Sequence, residues 1–92
     1  MKSIKLFYLA DCPYCHSARR ALAELAEEKS AYREIEVEWI EESRQPDLAN
    51  RYDYYYVPSI FTGDKKLYEA DPSEDYASIK AHISAALASV LS

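Results

Sequence analysis

Two cysteines, Cys12 and Cys15, are separated by two residues in the segment CPYC. A thiolate is both a nucleophile and a metal ligand, so this pair indicates either disulfide exchange or metal binding. An apolar run at residues 4–10 precedes the pair, and a run of good helix formers follows it. Cys12 is therefore expected at a helix N-terminus, where unpaired N–H groups and the helix dipole favour an anion.

Disulfide exchange gives the two cysteines different roles. Cys12 attacks a substrate disulfide and forms a mixed disulfide, and Cys15 then attacks Cys12 from one helical turn away and releases the reduced product. An external thiol is the other route for that release. Pro13 fits this arrangement because proline is tolerated in the first helical turn. The effect of Asp11 on the ionisation of Cys12 is not decided by the sequence. Its carboxylate either lies beside the sulfur and opposes a thiolate, or caps the helix and points away.

Other chemistries compete for the same residues. The letters CPYCH match the attachment pattern of c-type haem, but that attachment is usually linked to export, and we recognise no export signal. Zinc needs two more ligands, and His16 and His82 are the soft ligands that remain. We expect redox chemistry and no metal. Two buried, unreactive cysteines are the alternative without function.

Val57 and Pro58 form a second informative segment. Proline cannot donate in a sheet ladder, so Pro58 at the start of a strand indicates a special geometry. We expect a cis peptide bond between the two residues. If this turn lies beside Cys12, the backbone of Val57 is an exposed edge with which a peptide or glutathione can pair, as in strand addition. The alternative is a turn that only begins the strand.

The elements that position these residues follow from the periodicity of the apolar side chains. Residues 4–10 predict a buried strand, and residues 14–29 predict an amphipathic helix. The alternation of apolar and acidic residues at 34–39 predicts a half-exposed strand. Strand, helix and strand in this order predict a right-handed βαβ unit with parallel strands.

The second half of the chain predicts a short helix, a hairpin and a final helix. The short helix covers residues 43–52, and strands at residues 57–62 and 66–70 are joined by a tight turn at Gly63. The segment DPSE predicts the start of the last helix, with Asp71 as N-cap, proline at N1 and an acid at N3. That helix presents on one face Tyr76, Ile79, Ile83, Leu87 and Val90. The complete order is β-α-β-α-β-β-α, which is an α/β fold.

Length and charge restrict the function further. The chain has 92 residues, a formal net charge of −5 and a single glycine. It fits one domain, residues 1–92, and one glycine excludes the G-x-G-x-x-G and P-loop nucleotide sites. An acidic chain lacks the basic stripe of a nucleic-acid-binding protein, and no apolar run reaches the roughly 18 residues that indicate a membrane span. We expect a monomer in the cytoplasm, without nucleic-acid or membrane partners.

Three features together resemble the glutaredoxins, a family of the thioredoxin-fold superfamily. They are CPYCH after an apolar strand, VPSIF later in the chain, and the predicted order of elements. The likeness covers nearly the whole chain and implies a thioredoxin fold with a central four-stranded mixed sheet flanked by helices. It also implies that Cys12 is the nucleophile, that Cys15 is the resolving thiol, and that glutathione is the co-substrate. The implied glutathione groove is bordered by Tyr14, Val57, Pro58 and Asp71. The last of these aligns with an aspartate that holds the terminal amine of glutathione.

Three positions depart from that family. Glutaredoxins usually carry Lys, Thr and a Gly-Gly pair where this chain has Leu9, Tyr56 and the pair Tyr68-Glu69. The missing Lys contacts the glutathione carboxylate, and Glu69 places a negative charge where an anionic tripeptide would dock. The reductant is therefore open between glutathione and a thioredoxin-reductase-like flavoprotein. Disulfide-containing proteins are the expected substrates in both cases.

A different class of function also fits the resemblance. In that alternative the chain is a non-catalytic thioredoxin-fold module whose thiols hold a metal or a glutathione-ligated cluster. Pro13 argues against the cluster, because cluster-binding relatives usually have glycine at this position.

Tyrosines cluster at position 52 and at positions 54–56. We expect these rings to pack on the sheet. An aromatic surface for a protein partner is the alternative, because tyrosine is enriched at protein interfaces.

Overall fold

One mixed sheet organises the chain. The computed structural model describes residues 2–91. Its elements are, in chain order, β1 (Ser3–Tyr8), α1 (Pro13–Glu28), a 3₁₀ helix (Ser30–Glu34), β2 (Glu36–Glu41), α2 (Pro46–Ala49), β3 (Ser59–Thr62), β4 (Lys65–Glu69) and α3 (Tyr76–Leu91). The strand order is β2-β1-β3-β4; β1 is parallel to β2 and antiparallel to β3, and β3 is antiparallel to β4. The predicted α/β fold, a four-stranded mixed sheet flanked by helices, is confirmed.

Alternation along the two central strands divides the core into two clusters. Ile4 and Leu6 of β1 belong to the main cluster, whereas Phe7 belongs to the other face of the sheet, because successive side chains of a strand point to opposite faces. The main cluster is completed by the buried faces of α1 and α3, namely Ala18, Ala21, Leu25, Ile79, Ile83, Leu87 and Val90. The second cluster consists of Phe7, Ile40 and Phe61, and it is covered by Leu48, Ala49, Tyr52, Tyr54 and Val57.

A group of polar side chains links α1 to α3. Glu24 of α1 accepts hydrogen bonds from the Tyr76 hydroxyl at 2.6 Å and from the Lys80 ammonium at 3.1 Å. Arg20, one turn earlier in α1, donates to the same carboxylate at 3.2 Å. Because the Tyr76 hydroxyl and the Lys80 ammonium favour the ionised form, the pKa of Glu24 falls from its ordinary value of 4.5 to about 2.

Replacement of Glu24 by Gln is expected to lower the unfolding temperature at pH 7. A carboxylate whose pKa is lower in the folded state stabilises the fold above its unfolded pKa and loses that contribution as the pH falls. The difference between wild type and Glu24→Gln should therefore shrink as the pH falls from 4.5 to about 2. Thermal unfolding followed by circular dichroism measures it. Glu27→Gln is the control, at an exposed position of the same helix that makes none of these contacts. An equal effect of the two substitutions would contradict the prediction.

Two boundaries in the first half of the chain differ from the prediction. β1 ends at Tyr8, because a turn follows in which the Cys12 N–H donates to the Leu9 carbonyl at 3.2 Å. The strand predicted at residues 34–39 begins later, since Ser30–Glu34 forms a 3₁₀ helix. The 3₁₀ segment has the sequence SAYRE, and these five residues show no periodicity that would have predicted a helical turn before the strand.

The helix predicted at residues 43–52 is wrong in its extent, because α2 contains four residues, Pro46–Ala49. Before it, the Glu41 carboxylate accepts hydrogen bonds from the backbone N–H of Ser43 at 2.7 Å and from its hydroxyl at 2.6 Å. Such local side-chain bonds offer the backbone an alternative to a helix. In the hairpin, β3 begins two residues later than predicted and β4 begins one residue earlier. The predicted turn is present at Gly63, whose φ is 57°.

The predicted start of the last helix at Asp71 is also wrong, because α3 begins at Tyr76. The cap is Asp75, whose Oδ1 accepts from the backbone N–H of Ser78 at 2.9 Å. The segment DPSE instead forms a turn of its own, in which the Glu74 N–H donates to the Asp71 carbonyl at 2.9 Å. Its acids accept hydrogen bonds from backbone N–H groups as in a capping box, but no helix follows directly.

Within residues 2–91, no helix is long and apolar enough to cross a bilayer.

Candidate active site

Cys12 lies at the N-cap of α1 and faces Val57. Its sulfur accepts a hydrogen bond from the backbone N–H of Cys15 at 3.3 Å, which is the side-chain cap of this helix. The thiol donates to the carbonyl oxygen of Val57 at 3.7 Å. The cap is therefore Cys12 itself and not Asp11, which is exposed. A thiolate at this position receives an N–H donor and the positive end of the helix dipole.

Cys15 differs from Cys12 in its burial. Its exposed fraction is 5%, whereas Cys12 is partly exposed, and both thiols are free. Burial raises the pKa of Cys15 from 9.0 to about 12. At neutral pH the Cys15 thiol therefore keeps its proton, and Cys12 is the more accessible sulfur of the pair.

The peptide bond between Val57 and Pro58 is cis, as predicted. Pro58 is buried and its carbonyl accepts from the backbone N–H of Ala70 at 3.0 Å, which ties this turn to the end of β4. The Val57 carbonyl is the acceptor of the Cys12 thiol. The fold thus brings together two segments that are far apart in the chain, the start of α1 and the approach to β3.

Tyr14 and Asp71 meet through the turn that follows β4. The Tyr14 hydroxyl donates to the carbonyl of Pro72, while its ring packs on the main cluster. Asp71 is exposed, and its Oδ1 accepts from the backbone N–H of Ser73 at 2.9 Å and from its hydroxyl at 2.8 Å. These two bonds lower the pKa of Asp71 and hold its carboxylate within the turn, one residue from Pro72, which accepts from Tyr14.

A sequence model of the glutaredoxin family matches residues 4–67, which include Cys12, Cys15, Val57 and Pro58. The chain belongs to the glutaredoxin family. Membership supports a role as a redox oxidoreductase of the glutaredoxin and thioredoxin type.

Solved structures share the fold of this glutaredoxin-family chain at low sequence identity. One, described as the structure of a malarial protein, is 15% identical with a TM-score of 0.60 and covers 89% of this chain and 92% of its own. A mutant thioredoxin from Halobacterium salinarum NRC-1 is 22% identical with a TM-score of 0.58, covering 92% of this chain and 74% of its own. No curated protein matches the chain.

The tyrosine cluster divides into two parts. Tyr52 and Tyr54 pack on Phe7, with ring centroids 4.9 and 5.0 Å away, and so cover the second cluster. Tyr55 and Tyr56 are exposed by 82% and 44%. The predicted packing on the sheet therefore holds for the first pair, while the second pair stands in solvent immediately before Val57.

A shallow cavity of about 280 Å³ lies beside Cys12 in this glutaredoxin-family fold. Leu9, the position at which glutaredoxins usually carry lysine, lines it together with Ala10. Its charged lining residues are Asp11 and Glu41, so the cavity is acidic. An acidic lining disfavours a ligand with a carboxylate at this point.

Glu69, one of the departures from the glutaredoxin pattern, is partly buried and binds groups of the chain itself. Its carboxylate accepts from the backbone N–H groups of Tyr55 and Tyr56, each at 2.8 Å, and from Lys66 at 2.7 Å. From the sequence, Glu69 was expected only as a repulsive charge, and these contacts were not predicted. The one signal in the sequence was the acid itself: a glutamate at a position where the family has glycine needs hydrogen-bond donors or a cation nearby.

Metal ligands do not cluster in the part of the chain that the structure describes. Among residues 2–91, no group of three His, Cys, Asp or Glu side chains is placed to hold a metal ion.

Proposed function

We propose that this protein is a dithiol–disulfide oxidoreductase in which Cys12 is the nucleophile and Cys15 the resolving thiol. The observation that carries the proposal is the inequality of the two thiols. Cys12 is partly exposed at a helix N-cap beside the Val57 carbonyl, and Cys15 is buried, protonated and one turn further along the helix.

The reaction consists of two exchanges. The Cys12 thiolate attacks one sulfur of a substrate disulfide, a Cys12–substrate bond forms, and the other substrate sulfur leaves as a thiolate and takes a proton. Cys15 then loses its proton to water or to the leaving thiolate and attacks the Cys12 sulfur. This forms the Cys12–Cys15 disulfide and releases the second substrate thiol. The substrate gains two electrons, and the protein must be returned to its dithiol form by an external reductant.

Glutathione is the reductant that the site is proposed to use, with disulfide-containing proteins or glutathione mixed disulfides as substrates. The backbone of Val57 beside Cys12 offers an edge with which the cysteine of glutathione can pair. The carboxylate of Asp71 would face the terminal amine of the tripeptide, and Tyr14 and Pro58 would border the groove. We place this reaction in the cytoplasm, where thiols are kept reduced, and propose that the protein works as a monomer.

A thioredoxin-like electron donor is the second candidate, and the acidic cavity beside Cys12 favours it. Leu9 removes a cation and Asp11 and Glu41 add anions where a glutathione carboxylate would need a positive partner. A flavoprotein reductase would then supply the electrons, because it can reach Cys12 without placing a carboxylate in this cavity.

Two assays on three proteins separate these candidates. Wild type, Cys12→Ser and Cys15→Ser are each given a glutathionylated peptide with glutathione, and separately insulin with a thioredoxin-type reductase. We expect glutathione-dependent turnover that falls on the order of 1,000-fold or more in Cys12→Ser, because the nucleophile is lost. Turnover should survive in Cys15→Ser, because glutathione can replace Cys15 as the thiol that attacks the Cys12 mixed disulfide.

Two other outcomes would change the proposal. Activity with the reductase alone, lost in both variants, would establish the thioredoxin-like route instead. If wild type is inactive in both assays and is purified with a bound metal or an iron–sulfur absorbance, the redox proposal is wrong.

A further inference from the structure

The loop at residues 53–57 leads into the cis bond and is held along its whole length. Lys66 donates to the Asp53 carbonyl at 3.0 Å, and the Tyr54 hydroxyl donates to Glu42 at 2.8 Å. The hydroxyl of Ser59, which is fully buried, donates to the Tyr56 carbonyl at 2.6 Å. The Val57 carbonyl at the end of the loop accepts from Cys12.

Glu69 holds the middle of this loop from the end of β4. One carboxylate oxygen, Oε2, accepts from the N–H groups of Tyr55 and Tyr56 at 2.8 Å each, and Oε1 accepts from the Lys66 ammonium at 2.7 Å. The Glu69 side chain is only 22% exposed. Hydrogen bonds to an ionised carboxylate are about twice as strong as neutral ones, and Glu69 is the carboxylate that binds the backbone of the loop directly.

The three donors form a cradle for an anion. Successive backbone N–H groups that point to one place make an anion-binding concavity, and here the ammonium of Lys66 adds a full positive charge. Burial raises the pKa of Glu69, but the hydrogen bonds from Lys66, Tyr56 and Tyr55 outweigh it and hold the pKa below 4.5. The carboxylate is therefore ionised at neutral pH and matches the cradle in charge.

We propose that Glu69 is a positioning residue whose carboxylate fills this cradle as a tethered anion, and so keeps the Val57 carbonyl in place against Cys12. In the structure the Cys12 sulfur lies 3.7 Å from that carbonyl, near the longest distance for a hydrogen bond to sulfur. A displacement of the loop by about 1 Å would break the contact and misplace the edge that pairs with substrate. The catalytic consequence rests on the proposed function, whereas the anchoring of the loop does not.

The cradle also explains how a charge is accommodated where related chains have glycine. Tyr55 and Tyr56 keep their side chains in solvent, but their N–H groups are already occupied by Glu69. A substrate that pairs with the Val57 backbone therefore cannot use these two N–H groups.

Chemical rescue with a small carboxylate tests the proposal. In Glu69→Ala the cradle is empty, so we expect amide hydrogen exchange at Tyr55 and Tyr56 to accelerate at least about tenfold. We expect kcat/KM for a glutathionylated peptide or for insulin to fall about 10- to 100-fold. Added sodium formate should enter the cradle and reverse both effects in part, while sodium chloride at the same ionic strength should not. Exchange is followed by NMR and activity by steady-state kinetics.

Glu38→Ala is the matched control, because Glu38 is an ion-paired acid of the same sheet that accepts from Lys5 at 3.0 Å on the edge strand β2. It should leave exchange at Tyr55 and Tyr56 unchanged and should not respond to formate. Unchanged exchange in Glu69→Ala, or losses that formate and chloride restore equally, would overturn the proposal.

Further variants keep the test decisive if Glu69→Ala does not fold. Glu69→Gln keeps an acceptor oxygen without the charge, and Lys66→Met removes one donor. Both variants should accelerate amide hydrogen exchange at Tyr55 and Tyr56. Formate should have no effect on the Glu69→Gln variant. Unchanged hydrogen exchange in both variants would overturn the proposal. If wild type shows no thiol–disulfide exchange, the proposed function fails. The amide hydrogen exchange and its response to formate still decide the role of Glu69 in that case.

Discussion

In folded protein that carries Cys12→Ser, Cys15 will react with iodoacetamide at least about 100-fold more slowly than in the same protein unfolded in urea. The thiolate is the reacting form, and its fraction falls tenfold for each unit by which the pKa rises above the pH. Burial is the largest cause of the rise in the pKa of Cys15 from 9.0 to about 12, and it persists in this variant, whereas the smaller contribution of Cys12 is lost. The expected slowing is therefore smaller than the roughly 1,000-fold that the full rise would give at pH 8. Mass spectrometry of timed samples measures both rates.

The Cys15→Ser variant gives the matched comparison. It leaves Cys12 as the single thiol, and Cys12 is partly exposed at the start of α1. Its alkylation should be slowed by folding no more than about tenfold, because steric access is reduced only in part. If Cys15 in the folded protein reacts within tenfold of its rate in urea, the assignment of Cys15 as the protected, resolving thiol is wrong.

The same pKa sets a pH dependence. A thiol whose pKa is higher in the folded state contributes stability below its unfolded pKa, and this contribution is lost as the pH rises. The stability of wild type relative to Cys15→Ala should therefore decline between pH 9.0 and about 12. Alkylation of Cys15 should accelerate over the same interval.

Replacement of Phe7 by Ala is expected to cost about 3–5 kcal/mol of folding free energy. Phe7 is fully buried in the second cluster and lies against Tyr52, Tyr54 and Phe61, with centroid distances of 4.9, 5.0 and 5.8 Å. Its loss leaves a cavity between the sheet and the covering tyrosines. For a domain of this size the unfolding temperature should fall by roughly 15 °C or more, which thermal circular dichroism detects.

Tyr55→Ala is the control for this prediction. Tyr55 is also aromatic and lies near Tyr54 in the chain, but it is 82% exposed. Its replacement should change stability by no more than about 0.5 kcal/mol. A loss in Phe7→Ala as small as that of Tyr55→Ala would show that the second cluster contributes little to the fold.

The first half of the fold and the two segments of the site could be predicted from the sequence because their signals are local. The apolar run that precedes CPYC and the proline in the first helical turn placed Cys12 at the start of α1. The proline at the start of a strand predicted the cis bond after Val57. The meeting of these segments was expected only if the hairpin placed the turn beside the helix start. The predicted order of elements and the resemblance to glutaredoxins favoured that placement, since no local pattern relates residues so far apart in the chain.

The errors have a common physical origin. The acids and hydroxyls around Asp71 satisfy the backbone of a turn as well as they would cap a helix, and the sequence does not distinguish the two outcomes. The hydrogen bonds from Ser43 to Glu41 likewise satisfy a turn, so that α2 begins after the predicted residue 43. Glu69 finds its partners across the hairpin and in a loop that sheet pairing brings near, so its role depended on contacts that are distant in the chain.

The loop before the cis bond has a consequence for how this protein can change its substrates. Tyr52, Tyr54 and Val57 cover the second cluster, so a mutation at any of them alters stability together with the site. Tyr55 and Tyr56 lie between Tyr54 and Val57 in the chain, yet their rings do not pack on the second cluster. The two rings contact each other, with centroids 4.8 Å apart. Because proteins tolerate only modest losses of stability, new substrate preferences are most accessible to evolution through these two positions. If the proposed function holds, natural or laboratory selection for a different disulfide partner should accumulate changes at residues 55 and 56 before changes at their neighbours.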